Sequence, residues 1–457
     1  MTERFNVLSR LMVGFSGGVV PKEFAELSAK GLRSVVLYGE NVESPSQLAE
    51  LTKSLRASLG PDAVIAIDEE GGDVTRVDYL VGSRFAGNSW LGQHNDLNVT
   101  RRDGRMVASV LAGLGINLNF APDADVNTNP LNPVIGNRSF GTHQVAVAGH
   151  VAAFVEGHEA RGVGTTLKHF PGHGNVVSDS HLTLPRVPGG LAELEADHLE
   201  PFRSGIQAGA SAVMLAHLNL GDGRPTSLSQ SIVNKLRYEL GFEGLIITDA
   251  LDMGAITSQM SIAKAAVEAL LAGNDLVCLG PRTSTETLME ILELWKKVPS
   301  DVARSNEVEA SARLAAFLEG HRGPSPVETP EPTYEMTFEI PPRFQRADVV
   351  RISSGTNPAV GDAPWLNGAP FDREIDPQEL GEQLASGDPI VAITRGGELV
   401  WKTLEDLSEA QLEKMFLITT EAPPRLLGCE LLVTYGSAQP QALALASALS
   451  RKESRIV

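Results

Sequence analysis

Eight short apolar runs, each followed by a longer stretch with helical spacing, constrain this chain more than any other feature. They lie at 11–17 (LMVGFSG), 34–39 (SVVLYG), 63–68 (AVIAID) and 116–122 (INLNFAP), then at 164–170 (GTTLKHF), 212–218 (AVMLAHL), 244–249 (GLIITD) and 274–280 (NDLVCLG). Between them, segments such as 44–60, 101–115 and 146–162 repeat apolar residues at intervals near three and four, the pattern of a helix with one buried face. A strand buried on both faces reads as a near-continuous apolar run. Eight such strands alternating with helices are the count and order of a (β/α)8 barrel. A doubly wound sheet uses the same units, so strand count carries the assignment. A longer helical pattern over 302–320 closes the unit.

The chain then changes character. Residues 321–335 (HRGPSPVETPEPTYE) place Pro324, Pro326, Pro330 and Pro332 in a polar, acidic stretch. Prolines at this density remove backbone donors and favour extended chain, so 321–345 is expected to be a linker. Beyond it, 346–457 holds four strand candidates (ADVVRIS, PIVAITRG, FLITTEAP, LLVTYG) and helical patterns at 377–385, 404–415 and 440–450. The expected architecture is therefore an α/β chain. Residues 1–320 form a TIM-type (β/α)8 barrel, and 346–457 a smaller C-terminal α/β sandwich-like domain.

Composition narrows the function. With 42% hydrophobic and 21% charged residues in 457, the chain has ordinary globular usage and enough apolar material for a sizeable core. A formal net charge of −19 argues against nucleic acid or an anionic membrane surface as partner. Two distant cysteines, Cys278 and Cys429, build neither a disulfide framework nor a zinc ribbon. No window is long and apolar enough for a membrane span. The N-terminal segment lacks the pattern of a secretory signal, so a cytoplasmic location is expected. A monomer and a dimer are equally compatible.

The information lies at the strand ends. In a barrel, chemistry is carried by the loops that follow the strands. Asp68 ends the third run, Lys168 and His169 the fifth, His217 the sixth and Asp249 the seventh, with Asp123 just after the fourth. Any one of these is polar simply because the chain is leaving the core; together they indicate a shared cleft.

The densest segment is 168–181 (KHFPGHGNVVSDSH). His169 and His173 are four apart, but Pro171 and Gly172 between them exclude the helical geometry of a metal pair, and no metal is expected. Asp179 and His181, one serine apart, are close enough for the carboxylate to orient the imidazole. A histidine so held serves as general acid and then general base, although such a pair also simply ties down loops. Asp249, at the mouth of a buried strand, suits attack on a sugar carbon. Either Asp249 or Asp252 is also a candidate cap for a helix starting near 253, Asp252 being the better placed. Arg76 follows the double glycine 71–72, and Arg138 lies in a non-periodic loop. Basic and acidic groups in glycine-bearing loops suit a multiply hydroxylated ligand. Neither a GxGxxG nor a GxxxxGK[ST] motif is present, and no cofactor is expected.

Taken in order, IDEEGG with its later arginine, GNRSFG, KHFPGHG followed by DSH, and ITDAL resemble glycoside hydrolase family 3, in its bacterial cell-wall-recycling β-N-acetylglucosaminidase branch. The resemblance covers about residues 8–320. It implies a retaining exo-glycosidase that removes terminal β-linked N-acetylglucosamine, as from peptidoglycan (muropeptide) fragments, through a covalent glycosyl-aspartate. In this resemblance the nucleophile falls on Asp249, the acid/base on His181 with Asp179 supporting it, and the sugar-binding positions on Asp68, Arg76, Arg138, Lys168 and His169. A β-glucosidase of the same family, a phosphorolytic variant and a non-catalytic sugar-binding barrel are the alternatives. An imidazole does not repel an incoming phosphate as a carboxylate base would, which keeps phosphorolysis open. The residue after the double glycine is Asp73, where many members of that branch carry arginine. No catalytic motif is recognisable after residue 320, and a structural or regulatory role is expected there.

Overall fold

The computed structural model describes residues 6–321, 331–353, 360, 365–423 and 428–450. Each of the eight apolar runs contains a strand. These are β1 (Leu11–Val13), β2 (Ser34–Leu37), β3 (Val64–Ile67), β4 (Leu118–Asn119), β5 (Thr166–Phe170), β6 (Ala212–Leu215), β7 (Leu245–Thr248) and β8 (Val277–Cys278). All pair in parallel, in the orders β4-β3-β2-β1-β8 and β5-β6-β7. Single parallel bridges close the two arcs on each other, Leu118 to Gly164 and Asp123 to Lys168 on one side, Ile247 to Leu276 on the other. The result is the expected cyclic barrel.

Side-chain alternation along the strands sorts the core into two layers. Met12, Val36, Val64, Ala66, Leu118, Ala212, Met214, Leu245, Ile247 and Cys278 gather into one interior cluster drawn from both arcs. Their neighbours Leu11, Val13, Val35, Leu37, Ile65 and Ile67 point outward, to Leu48, Leu51 and Leu55 of the helix Pro45–Leu59. Leu314, Phe317 and Leu318 of the helix Ser300–Gly320 join the interior cluster. At Gly164 a Cβ would lie 2.6 Å from the Phe317 ring, so the helix packs here because the residue is glycine. Cys278 is buried, as a small apolar residue would be, and burial pushes its thiol up to about 12.

The C-terminal unit is a five-stranded parallel sheet in the order β10-β9-β11-β12-β13, with β9 (Asp348–Ile352), β10 (Arg373–Ile375), β11 (Ile390–Thr394), β12 (Met415–Thr419) and β13 (Glu430–Val433). Alternation again splits its residues. Val349, Val391 and Ile418 meet the helix Gln439–Ser450 on one face. Val350, Ala392 and Leu417 meet Leu380, Val400 and Leu404 on the other. Helices on both faces make it the expected sandwich. Two details differ from expectation. Strand β10 is additional, and the helix expected over 404–415 is two, Glu398–Glu405 and Glu409–Leu412, because Ser408 and Gln411 form a capping box that starts a new helix.

Of the four linker prolines, Pro324, Pro326 and Pro330 lie outside the described residues. Residues 331–341 carry no regular secondary structure, and Tyr334 donates to Asp103 Oδ2 at 2.6 Å on the barrel. No helix among the described residues is long and apolar enough to cross a membrane.

Candidate active site

Strand phase aims the site residues. Val64 and Ala66 point into the barrel, so Asp68, next in the series, emerges at its mouth; Leu245 and Ile247 do the same for Asp249. Lys168 is buried near Asp68, and its Nζ donates to Asp68 Oδ1 at 2.7 Å and lies 2.6 Å from Glu70 Oε1. Glu70 also accepts from Arg138 Nε at 3.1 Å and Nη2 at 2.9 Å. Arg138 Nη2 reaches His169 Nε2 at 3.2 Å, and His169 Nδ1 contacts Asp125 Oδ2 at 2.7 Å. Arg76 Nη2 is 4.0 Å from Asp68 Oδ2. All five expected sugar-binding residues thus share one network.

The charges fix each other. Burial raises the Glu70 carboxyl, but Arg138 and Lys168 outweigh it and hold it at about 2. Burial also opposes the charge on Lys168, yet Asp68 and Glu70 keep it more firmly protonated than an ordinary lysine. Asp123 is pushed up by burial and by the adjacent Asp125. Asp125 is pushed up by burial but held down by His169 and His173. Ligand atoms of Asp123, Asp125 and His169 lie within 4.8 Å of one another. Arg138 Nη2 is 3.8 Å from Asp123 Oδ2, which accepts no hydrogen bond among the described residues, while Asp125 Oδ2 takes the His169 ring.

Asp249 is half-buried beside this network. Burial favours its neutral form, but His169, His217, His181 and the Ala250 N–H outweigh that and hold its carboxyl below the ordinary range. A depressed carboxyl is an ionised one at neutral pH, as a nucleophile requires. Its Oδ1 accepts the Ala250 N–H at 2.8 Å. Neither aspartate caps the following helix: Gly254–Thr257 is preceded by Met253 and has no side-chain cap, which corrects that expectation for Asp252.

The loop bearing Asp179 and His181 is pinned against the same strand exit. Gly254 and Ala255 donate their N–H groups to the carbonyls of His181 (2.9 Å) and Ser180 (3.1 Å). Asp179 Oδ1 lies 2.7 Å from His181 Nδ1. From below, the buried His173 holds Ser180 Oγ at 3.1 Å through Nε2 and donates its backbone N–H to Asp125 Oδ1 at 2.6 Å. Burial and His169 push the His173 ring down to about 4, so it is neutral. His217 bridges Ser227 Oγ and the Ala250 carbonyl.

Sequence reasoning missed Glu70, Asp125 and His173 as organisers of the site. Glu70 stands inside the IDEEGG motif and Asp125 two residues from Asp123, so proximity to those markers was the available signal.

A (β/α)8 barrel carrying carboxylates and a carboxylate-held histidine at one mouth has the equipment of a glycoside hydrolase. Residues 15–314 match the glycosyl hydrolase family 3 N-terminal domain, and the chain belongs to that family. It is 35% identical over 315 residues to β-hexosaminidase A of Pseudoalteromonas piscicida, covering 63% of this chain and 52% of that protein. It thus spans about half the length of that relative. A β-hexosaminidase of Nitrosomonas eutropha is 32% identical over 327 residues, 69% of this chain and 92% of that one. Among solved structures, a family 3 β-N-acetylglucosaminidase from Paenibacillus sp. FPU-7 superposes with a TM-score of 0.80 at 26% identity, covering 98% of this chain and 97% of the other. NagZ from Neisseria gonorrhoeae gives 0.57 at 30% identity, over 69% and 97%.

Proposed function

We propose that this chain is a retaining exo-β-N-acetylglucosaminidase that releases terminal N-acetylglucosamine from saccharides such as muropeptide fragments, in the cytoplasm and without cofactor. The observation that carries the reading is the convergence of Asp249 with the Asp179–His181 pair beside one buried polar network. Asp249 attacks the anomeric carbon as the glycosidic bond breaks, and His181 gives its proton to the departing oxygen. His181 then takes a proton from water, which displaces Asp249 from the sugar. Asp179 orients the ring. Asp68, Arg76, Arg138, Lys168 and His169 grip hydroxyls and the acetamido arm, converting binding into orientation. In this reading residues 1–320 are the catalytic unit, 321–345 the linker and 346–457 an accessory unit.

Nitrophenol release from the β-N-acetylglucosaminide and the β-glucoside, side by side, tests it, with Asp249→Ala as blank. Strong preference for the acetamido sugar, abolished in the variant, is expected. Equal or reversed preference would make the chain a β-glucosidase, and a sugar 1-phosphate formed in phosphate buffer would make it a phosphorylase.

A further inference from the structure

Asp73 reaches out of the barrel. Its Oδ1 accepts from both the backbone N–H (2.9 Å) and the hydroxyl (2.6 Å) of Ser437, at the edge of the C-terminal sheet. Its Oδ2 accepts from Asn137 Nδ2 at 3.2 Å, and the same amide donates to the Thr420 carbonyl at 2.9 Å. Asn137 immediately precedes Arg138. Asp73 lies between Glu70 and Arg76 on the loop after β3. More contacts flank the pair: Gln441 Nε2 donates to the Ala86 carbonyl and Gln439 Nε2 to that of Gly82. Two loops that carry the proposed sugar-binding arginines are therefore tied to Thr420 and Ser437 through one carboxylate and one amide.

We infer that Asp73 is a positioning residue, and that through it and Asn137 the C-terminal unit sets the geometry of Arg76 and Arg138 toward the terminal sugar. The inference rests on the functional reading above. Loops free to shift by an ångström lose much of their orienting power, and a grip made equally in ground and transition states is lost chiefly as KM.

Asp73→Ala and Asn137→Ala are each expected to raise KM for the nitrophenyl N-acetylglucosaminide roughly tenfold, with kcat changed less. Asp73→Asn, which retains the acceptor for Ser437 but turns an NH2 donor toward Asn137 Nδ2, recovers only part of the loss. The double variant is no worse than the worse single one. Ser437→Ala, which removes only a hydroxyl, gives a smaller rise in the same direction if Asp73→Ala folds poorly. Wild-type KM in Asn137→Ala and Ser437→Ala, or additive losses in the double variant, would overturn the inference. Amide exchange over 70–78 and 134–139 needs no substrate and is expected to rise in Asp73→Ala. Unchanged exchange there would overturn the latch whether or not wild-type protein turns over the sugar, whereas an inactive wild-type protein would count against the functional reading alone.

Discussion

One oxygen of Asp179 holds His181 twice: Oδ1 accepts the His181 backbone N–H at 2.8 Å and meets the ring Nδ1 at 2.7 Å. With Nδ1 committed to the carboxylate, Nε2 is the nitrogen left for the proton transfer proposed above. Removing the ring should cost ~10²–10⁴-fold in rate on an alkyl aglycone, and less on nitrophenol, which leaves without help. Asp179→Ala should reproduce part of this loss. A series of leaving groups measures it; losses independent of the leaving group would remove His181 from the proton transfer.

Among the described residues Glu70 is the one carboxylate that binds both Lys168 and Arg138, and all three are buried. Glu70→Gln leaves two buried cations short of a counter-charge. Breaking a buried pair in this way costs about 3–5 kcal/mol. Denaturant unfolding should show that loss, together with a higher KM.

Gly254 allows the loop bearing Asp179 and His181 to lie on the exit of β7, because a Cβ there would stand too close to the Leu182 carbonyl and 2.7 Å from that of His181. Gly254→Ala must push the loop outward. Misplacing the proton donor should lower kcat roughly tenfold or more with KM little changed. Steady-state kinetics on the poorer leaving groups would reveal it.

Glu421, near the Asn137 contact, is raised to about 7 by burial and by Asp73. Its folded value lies above its ordinary 4.5, so its contribution to stability is full below pH 4.5 and is lost as pH rises through 7. Glu421→Gln should therefore match wild-type stability near pH 4 and exceed it at pH 8, by at most about 3 kcal/mol. Thermal unfolding at the two pH values tests the sign.

The barrel was legible because strands buried on both faces leave an uninterrupted apolar record, as at Val64–Ile67 and Leu245–Thr248. The same alternation made Asp68 and Asp249 readable as mouth residues. Strand β10 left no such record: Arg373 and Glu374 are exposed, and the strand is a three-residue edge. Within the pair Glu69–Glu70, sequence cannot tell which carboxylate serves the site. Glu69 turns to the N–H groups of Arg76 and Val77, and Glu70 to Arg138, 68 positions away. The Asp73–Ser437 contact spans 364 positions and exists only once both units are folded.

The most direct test of the central claim is to trap the glycosyl-enzyme with a 5-fluoro-N-acetylglucosaminyl fluoride and map the adduct by mass spectrometry. An adduct of one sugar on the peptide bearing Asp249, absent from Asp249→Ala, is the predicted result. An adduct on Asp252 or Asp68, or none in an enzyme that the reagent inactivates, would contradict the assignment of Asp249 as the nucleophile.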